Sequence, residues 1–254
     1  MSGGSKKERV TDMFNDIAPA YDRLNHILSF GIDRSWRRRV VKMLSKTKPA
    51  KVLDIATGTG DLALAIAGRN KEAHITGADI SAEMLRIAKE KTEKKGLTDR
   101  IAFLLSEAEN IPLPAGEFDA VSVAFGVRNF HDIEAGLREM RRMLKPGGKV
   151  YILEFSTPQG KIFGPLYRFY FHRVLPVIGG FISKNRKAYQ YLPESVDMFP
   201  SVNGFIAMME EAGFSGCETR RFSGGIAWLW VGTAGNAATR MVAMEETEDG
   251  VKYS

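Results

Sequence analysis

Cysteine is almost absent from this chain of 254 residues, which contains only Cys217. A single cysteine excludes an internal disulfide framework and a zinc site built from several cysteines. The histidines are also few and show no i, i+4 spacing of the kind that binds a metal on a helix: His26, His74, His131 and His172. We therefore expect no metal.

The chain has no run of 18 uninterrupted apolar residues and no stretch typical of a signal peptide. Its hydrophobic content of 44% and charged content of 26% are ordinary for a soluble globular protein. A chain of this length can bury one sizeable core. These features predict a cytoplasmic protein with one α/β domain and some additions.

The net charge of +6 and the pI near 9.3 make the chain moderately basic. Such a charge allows binding to an anionic membrane or to nucleic acid, but requires neither. The three consecutive arginines at 37–39 fit the solvated face of an amphipathic helix better than a phosphate site.

Residues 51–67 contain the pattern around which the rest of the chain is organised. The apolar run 52–55 predicts a buried strand, and Thr-Gly-Thr-Gly at 57–60 allows a tight turn and a close approach of backbone to ligand. Residues 61–67 are rich in helix formers. A strand, a glycine-rich turn and a helix in this order predict a nucleotide pocket at the carboxyl end of the first strand.

Two classes of cofactor compete for this turn. Gly58, Gly60 and Ala63 fit the dinucleotide fingerprint of an NAD(P)-dependent reductase. However, Asp54 lies four residues before Gly58, where an acid suits a cation such as S-adenosylmethionine better than a pyrophosphate. Asp79, 19 residues after Gly60, can accept hydrogen bonds from a ribose in either class. The structural alternative is a tight turn with two acids that bind nothing.

The ends of the next strands favour S-adenosylmethionine. Ile80 and Met84 follow the second strand and can flank an adenine, while Glu107 and Ala108 follow the third and can meet its amine. Ala124 ends the fourth strand and faces the same cleft. A Tyr-x-x-x-Lys proton relay is not recognisable, which counts against the reductase.

The pattern of strands and helices predicts a parallel, right-handed, doubly wound sheet. Strands are expected at 52–55, 74–79, 101–105, 118–125, 149–154, 217–222 and 227–233. Helices are expected around Pro19, over 36–44, 61–68, 132–144 and 202–213, and after a cap at Ser81.

The domain limits follow from where this pattern begins and ends. We expect a flexible N-terminus at 1–9, a single domain at 10–234 and a disordered acidic tail at 235–254. An aromatic and basic insertion at about 160–192 suggests a lid over an apolar substrate or a surface that touches membrane. The plainer alternative is that extra helices pack on the core.

Several short motifs occur between residues 10 and 232, and two of them are specific: Phe-Gly-x-Arg-Asn at 125–129 and Leu-Glu-Phe-Ser at 153–156. Others lie at 13–25, 28–37, 53–61, 142–148, 188–195 and 212–214. With these motifs the chain resembles the C-methyltransferases of menaquinone and ubiquinone biosynthesis, the UbiE/MenG family. The resemblance implies a class I S-adenosylmethionine-dependent methyltransferase, with a Rossmann-like, mostly parallel sheet and an antiparallel C-terminal strand.

The resemblance also implies a substrate and some partners. Family members methylate a prenylated quinol ring in its reduced form, and menaquinone-type members methylate demethylmenaquinol at ring carbon 2. We favour demethylmenaquinol; a methoxy-benzoquinol of ubiquinone biosynthesis, or both, is the alternative. The prenyl tail implies transient contact with a membrane surface at the inner face of the cytoplasmic membrane, placed at 163–181. A homodimer is left open.

The cofactor contacts carried over from the family are Thr59, Asp79, Glu107 and Ala108, whereas Asp54, Gly58, Gly60, Ile80 and Ala124 follow from the residue pattern above. No partner of the nucleic-acid class is expected, although an RNA- or membrane-binding protein with an inactive pocket is the third alternative.

Four residues are candidates for catalysis. Arg128 and Asn129 match the pair that the family places beside the substrate ring, with Arg128 as electrostatic stabiliser or water organiser and Asn129 holding a water. Tyr21 and Asn25 are expected to close over the ring. The structural alternative for Arg128 is a salt bridge to an acid. Asp33 occupies a position where many members of the family have histidine. If that histidine carries a proton, Asp33 changes the pKa of the proton transfer or another residue takes it over; if the histidine is structural, little changes.

Overall fold

The computed structural model describes residues 6–29, 31–158, 163–174 and 186–235. Residues 236–254 of the predicted disordered tail, the first residues of the predicted flexible N-terminus and much of the insertion lie outside the described residues.

A seven-stranded sheet forms the centre of the described chain. Its strands are β1 (Lys51–Ile55), β2 (His74–Asp79), β3 (Ile101–Leu105), β4 (Phe118–Ala124), β5 (Leu144–Phe155), β6 (Phe214–Phe222) and β7 (Ala227–Ala234). The spatial order is β3-β2-β1-β4-β5-β7-β6, and only β7 runs antiparallel to its neighbours. The order reverses between β1 and β4, which opens a crevice at the carboxyl ends of these strands. This confirms the predicted doubly wound sheet.

The helices follow the predicted alternation. They are α1 (Lys6–Ile17), α2 (Tyr21–Leu28), α3 (Ile32–Leu44), α4 (Asp61–Arg69), α5 (Ala82–Lys94), α6 (Ile133–Met143), α7 (Phe163–Phe169), α8 (Arg186–Asp197) and α9 (Val202–Glu211). The Ser81 hydroxyl accepts a hydrogen bond from the backbone N–H of Met84, which confirms the predicted cap of α5.

Both faces of the sheet are buried, which explains the continuous apolar runs in its central strands. Trp36 and Leu44 of α3 pack on one face together with α4, and Leu137 of α6 and Phe205 of α9 pack on the other. Trp230 of β7 is 1% exposed. Burial of each such side chain contributes about 1.5–3 kcal/mol, so these two layers fix the strand ends in place.

The N-terminal helices lie across the carboxyl end of the sheet. A 3₁₀ turn, Ala18–Ala20, separates α1 from α2 at Pro19, as predicted, because proline cannot continue the helical hydrogen bonds. Ile17 packs with Met84 of α5 and with Tyr167 and Phe171 of the insertion. This third cluster roofs the crevice.

Several predicted boundaries are wrong. The strand expected at 149–154 begins at Leu144, because residues 145–148 form an irregularity between the pairs Phe118↔Leu144 and Ala120↔Lys149. The strand expected at 217–222 begins at Phe214, again beside a shift of register. Helix α1 begins at Lys6, inside the segment 1–9 that was expected to be flexible.

Candidate active site

Two adjoining cavities open at the carboxyl end of the sheet. The first, called here the strand-end cavity, encloses about 770 Å³ at the ends of β1, β2 and β4. Six of the predicted cofactor residues line it: Gly58, Asp79, Ile80, Glu107, Ala108 and Ala124. The structure therefore brings together residues that span 67 positions of sequence.

The turn after β1 is held in an unusual backbone conformation. Ala56, Gly58 and Gly60 have φ angles of +51°, +57° and +81°, which glycine adopts at little cost but alanine does not. Gly126 lies so close that a Cβ added there would be 2.5 Å from the Cβ of Ala56. The close approach of the two loops therefore requires a residue without a side chain.

Asp79 ties this turn to β2. Its Oδ2 accepts a hydrogen bond of 2.8 Å from the backbone N–H of Gly58, and its Oδ1 accepts one of 2.9 Å from that of Ser81. Burial raises the pKa of the Asp79 carboxyl, and the backbone N–H groups oppose that rise. The carboxylate still lines the cavity, where it can accept hydrogen bonds from a diol.

Asp54 lies beneath the turn rather than in the strand-end cavity. Its two oxygens accept hydrogen bonds of 2.7 Å from the hydroxyls of Thr57 and Ser122, and the residue is 1% exposed. Burial raises the pKa of Asp54 to about 6. It lines a small polar recess that continues from the strand-end cavity, together with Thr59 and Arg37.

Thr59 and Gly60 stand apart from the strand-end cavity. The Thr59 hydroxyl donates to Asp22 of α2 at 2.5 Å and accepts from Lys91 of α5 at 3.0 Å. A Cβ on Gly60 would be 3.1 Å from the Cβ of Ala88, so this glycine allows close packing against α5 and does not line either cavity. The prediction of Gly60 as a cofactor contact finds no support in this placement.

The second cavity, called here the aromatic cavity, encloses about 1070 Å³ between the N-terminal helices and the insertion. All four predicted catalytic residues line it: Tyr21, Asn25, Arg128 and Asn129. Tyr21 and Asn129 also line the strand-end cavity. The two cavities therefore meet at these side chains.

Arg128 is fixed within the wall of the aromatic cavity. One terminal nitrogen donates to Glu154 Oε1 at 2.6 Å and to the carbonyl of Phe125 at 2.5 Å. The guanidinium carbon lies 5.4 Å from the ring centroid of Phe155, within the range of a cation–π contact. The salt bridge that was considered as a structural alternative is thus present, at 7% exposure for Arg128 and 0% for Glu154, in a residue that also faces the cavity.

Three buried polar atoms of this cavity have no hydrogen-bond partner among the described residues: Arg128 Nε, Asn129 Oδ1 and the Tyr167 hydroxyl. A buried polar group without a partner costs about 1–3 kcal/mol. Native proteins leave few such groups, and a ligand is one thing that satisfies them. The cavity therefore fits a largely apolar ligand with several polar atoms.

Asp33 belongs to the same wall. It accepts hydrogen bonds from Ser29 at 2.7 Å and Arg37 at 2.5 Å, and His26 Nδ1 lies 2.9 Å away. Burial raises the pKa of Asp33, but the Ser29 hydrogen bond and the charges of Arg37 and His26 outweigh it and leave the pKa lowered. Asp33 is therefore an anion that positions Arg37.

Two residues of the site, Arg37 and Lys7, were not predicted from the sequence. Arg37 was assigned to a solvated face, yet its guanidinium lies 5.5 Å from the Phe125 ring and lines the aromatic cavity. The i, i+4 spacing of Asp33 and Arg37 was the available signal. Lys7 of α1 lines the strand-end cavity and forms an ion pair with Glu107. No local sequence pattern predicts this contact, because the two residues lie far apart in the chain.

Across the part of the chain that is described, no group of three or more His, Cys, Asp or Glu side chains could hold a metal ion.

Comparison with known proteins agrees with this geometry. The ubiE/COQ5 methyltransferase family matches residues 2–234. A demethylmenaquinone methyltransferase from Thermus thermophilus is 52% identical over 80% of this chain and 91% of its own length. A ubiquinone/menaquinone biosynthesis C-methyltransferase UbiE from Geotalea daltonii is 49% identical over 89% of this chain and 97% of its own.

A crystal structure of a SAM-dependent methyltransferase from Thermotoga maritima superposes with a TM-score of 0.61, at 20% identity, over 89% of this chain and 99% of its own. At that identity the likeness concerns the fold, and with the order of strands it confirms the predicted class I architecture.

Proposed function

The chain belongs to the ubiE/COQ5 methyltransferase family, and we propose that it transfers a methyl group from S-adenosylmethionine to a ring carbon of a prenylated quinol. The favoured substrate is demethylmenaquinol, in menaquinone biosynthesis, since the Thermus relative is a demethylmenaquinone methyltransferase. The methoxy-benzoquinol of ubiquinone biosynthesis is the second candidate, because the Geotalea relative carries both pathways in its name.

One observation carries this proposal: the strand-end cavity and the aromatic cavity meet at Tyr21 and Asn129. Methyl transfer needs a donor and an acceptor in contact, with water kept out. The acids Asp79 and Glu107 and the apolar Ile80 and Met84 of the strand-end cavity fit the ribose and adenine of S-adenosylmethionine. When bound, this cofactor supplies an electrophilic methyl group on a sulfonium.

The residues of the aromatic cavity then serve the quinol. Arg128, held by Glu154, presents its unpartnered Nε to a quinol oxygen and stabilises the negative charge that develops there. Asn129 offers its unpartnered amide oxygen, Oδ1, as an acceptor at the junction of the cavities. Burial raises the pKa of Tyr21, so its hydroxyl stays neutral and can donate a hydrogen bond.

The test is methyl transfer from labelled S-adenosylmethionine to chemically reduced demethylmenaquinone in detergent, with reduced methoxy-benzoquinone in parallel. Label in the naphthoquinol alone identifies a menaquinone enzyme, and label in both identifies a dual one. The same quinones left oxidised are the control. Binding of S-adenosylhomocysteine without label in either quinol would reject the substrate and keep the cofactor.

We further propose that the enzyme meets its prenylated substrate at an anionic membrane surface. Phe169 of α7 is 62% exposed, and Arg168 and Arg173 beside it are exposed as well. Phe171, in contrast, is 5% exposed and lines the aromatic cavity, so it cannot serve as a lipid contact. In the described parts of the chain, no helix is both long and apolar enough to cross a bilayer.

A further inference from the structure

The Tyr167 hydroxyl is the one unpartnered polar atom of the aromatic cavity that the proposed mechanism does not use. Tyr167 lies in α7, in the insertion whose aromatic composition suggested a lid. Its side chain is nearly buried, at 9% exposure for the residue. A hydroxyl placed there without a partner is costly in an empty cavity and useful in a filled one.

The position of Tyr167 is fixed by stacking. Its ring lies 5.1 Å from that of Phe171, at an angle of 20°, and Phe171 lies 6.4 Å from Phe155. The guanidinium carbon of Arg128 in turn lies 5.4 Å from the ring centroid of Phe155. Tyr167 and Arg128 are thus held on one aromatic framework, with the cavity between the N-terminal helices and this framework.

The unmet groups describe the ligand. Arg128 Nε–H is a donor, while the Tyr167 hydroxyl can donate and accept. Burial raises the pKa of Tyr167, so the hydroxyl stays protonated. A ring with one oxygen can form a hydrogen bond with only one of these two groups. A 1,4-dihydroxy ring presents oxygens at two opposite edges and can reach both.

We propose that the Tyr167 hydroxyl binds the second oxygen of the substrate ring, across from the oxygen that Arg128 stabilises. This inference rests on the proposed function and names the feature that selects a 1,4-quinol over a simple phenol. It also gives the insertion a role in ring recognition, besides that of covering the cavity. Tyr191, which lines the same cavity, is the rival residue, but it is only partly buried.

The experiment compares Tyr167→Phe with wild type on two ligands. One is a 3-prenyl-1,4-naphthohydroquinone, and the other is the 3-prenyl-1-naphthol that lacks only the second oxygen. We measure kcat, KM and, by quenching of intrinsic fluorescence, the Kd of each ring for the protein loaded with S-adenosylhomocysteine. The variant should bind the hydroquinone about 3- to 10-fold more weakly, the usual effect of one hydrogen bond. Its Kd for the naphthol should match that of wild type.

Two matched variants isolate the hydroxyl. Tyr170→Phe, three residues along the chain and outside the cavity lining, should behave as wild type on both ligands. Tyr191→Phe should retain the preference for two oxygens. Because Tyr167→Phe removes a buried group without a partner, its Tm should equal or exceed that of wild type, so unfolding does not confuse the result.

An equal loss on both ligands, or no loss on either, would overturn the inference, as would loss of the preference in Tyr191→Phe alone. Failure of wild type to methylate the hydroquinone would overturn the proposed function instead. The binding measurements still decide the role of Tyr167 in that case.

Discussion

At the scale of single residues, the site is built from charged side chains that the fold has taken out of water. Asp54, Asp33 and Glu154 are each 2% exposed or less. Removing a carboxylate from water is unfavourable unless hydrogen bonds or cations replace the water. Asp33 and Glu154 have arginine partners, whereas Asp54 has only hydroxyls, and this difference predicts different responses to pH.

The first prediction concerns Asp54. Its pKa of about 6 in the folded protein lies above the ordinary value of 3.8, so the folded state holds a proton between about pH 4 and 6 that the unfolded state has lost. The contribution of Asp54 to the free energy of unfolding is therefore fully present below pH 4. It falls by about 3 kcal/mol as the pH rises through 6. In Asp54→Asn the free energy of unfolding in urea should fall less over this range.

The matched control is Asp119→Asn. Hydrogen bonds from Lys145 and from the backbone outweigh the effect of burial and lower the pKa of Asp119. The contribution of Asp119 to the free energy of unfolding is therefore present above the pKa of the unfolded state and is lost in acid. This pH dependence is opposite to that of Asp54. Parallel stability curves for wild type and Asp54→Asn between pH 4 and 7 would contradict the prediction.

The second prediction concerns Glu154. Glu154→Gln keeps the shape of the side chain but leaves the buried guanidinium of Arg128 without a counter-charge. Breaking a buried pair in this way should lower the free energy of unfolding by about 3–5 kcal/mol. Urea unfolding measures it, and adding Arg128→Met should restore part of the loss. A single-variant cost below about 1 kcal/mol would show that Arg128 does not depend on this acid.

At the scale of elements, α1 and α2 cover cavities whose floors belong to the sheet. Val10, Phe14 and Tyr21 line the strand-end cavity from above. Side-chain contacts hold these helices to the rest of the described chain, among them Asn15–Ser81, Asp22–Thr59, Lys7–Glu107 and the packing of Ile17 on Met84, whereas the strands beneath them are paired main chain to main chain. Local opening of α1 and α2 is therefore the expected route by which the cavity is reached.

The third prediction follows from this cover. Saturating S-adenosylhomocysteine should slow amide hydrogen exchange in α1 and α2 by up to about 100-fold at 100 times its Kd. Exchange in α9, which packs on the far part of the sheet, reports only global unfolding and provides the internal reference. Because a ligand that binds only the folded protein slows global unfolding by the same factor, α9 should slow as well, and α1 and α2 should differ from it by exchanging faster than α9 in the free protein. Exchange in α1 and α2 as slow as that in α9 without ligand would argue against a cover that opens locally.

The elements also show what a sequence can predict. The order of strands and helices, the turn at 57–60 and the cap at Ser81 were all predicted, because each depends on a local pattern of apolar residues, glycines or capping side chains. The start of β5 at Leu144 was missed because main-chain pairing with β4 sets it, and pairing needs no side-chain pattern. Gly60 stays a prediction as a cofactor contact, because the glycine pattern alone does not distinguish a residue that faces a ligand from one that packs on a helix, as Gly60 does on Ala88.

The side chains that close the site depend on contacts between distant segments. Arg128 and Asn129 were found by their motif, but the orientation of Arg37 depends on Phe125, 88 positions later in the chain. Tyr167 carries no motif, and its buried, unpartnered hydroxyl distinguishes it from Phe171 and Tyr191, which line the same cavity.

At the scale of the whole molecule, the net charge of +6 gives the protein a long-range attraction to anionic surfaces. The exposed Phe169 lies on α7, the helix that also carries Tyr167. A lipid contact at α7 would bring the cavity close to the bilayer in which a prenylated quinol dissolves. Charge and an exposed ring thus act together, the first over distance and the second at contact.

The fourth prediction tests this arrangement with Phe169→Asp and co-sedimentation with vesicles. Burial of a ring of this size in the bilayer contributes about 1.5–3 kcal/mol to binding. Its replacement by aspartate should therefore weaken binding to vesicles rich in phosphatidylglycerol by about 10-fold or more. Leu105→Asp is the matched control, since Leu105 is 58% exposed but lies at the end of β3, away from α7. Binding should also fall as salt rises, because the charges are screened. Equal sedimentation of both variants with wild type would remove α7 as the contact, while the two cavities and their chemistry would stand.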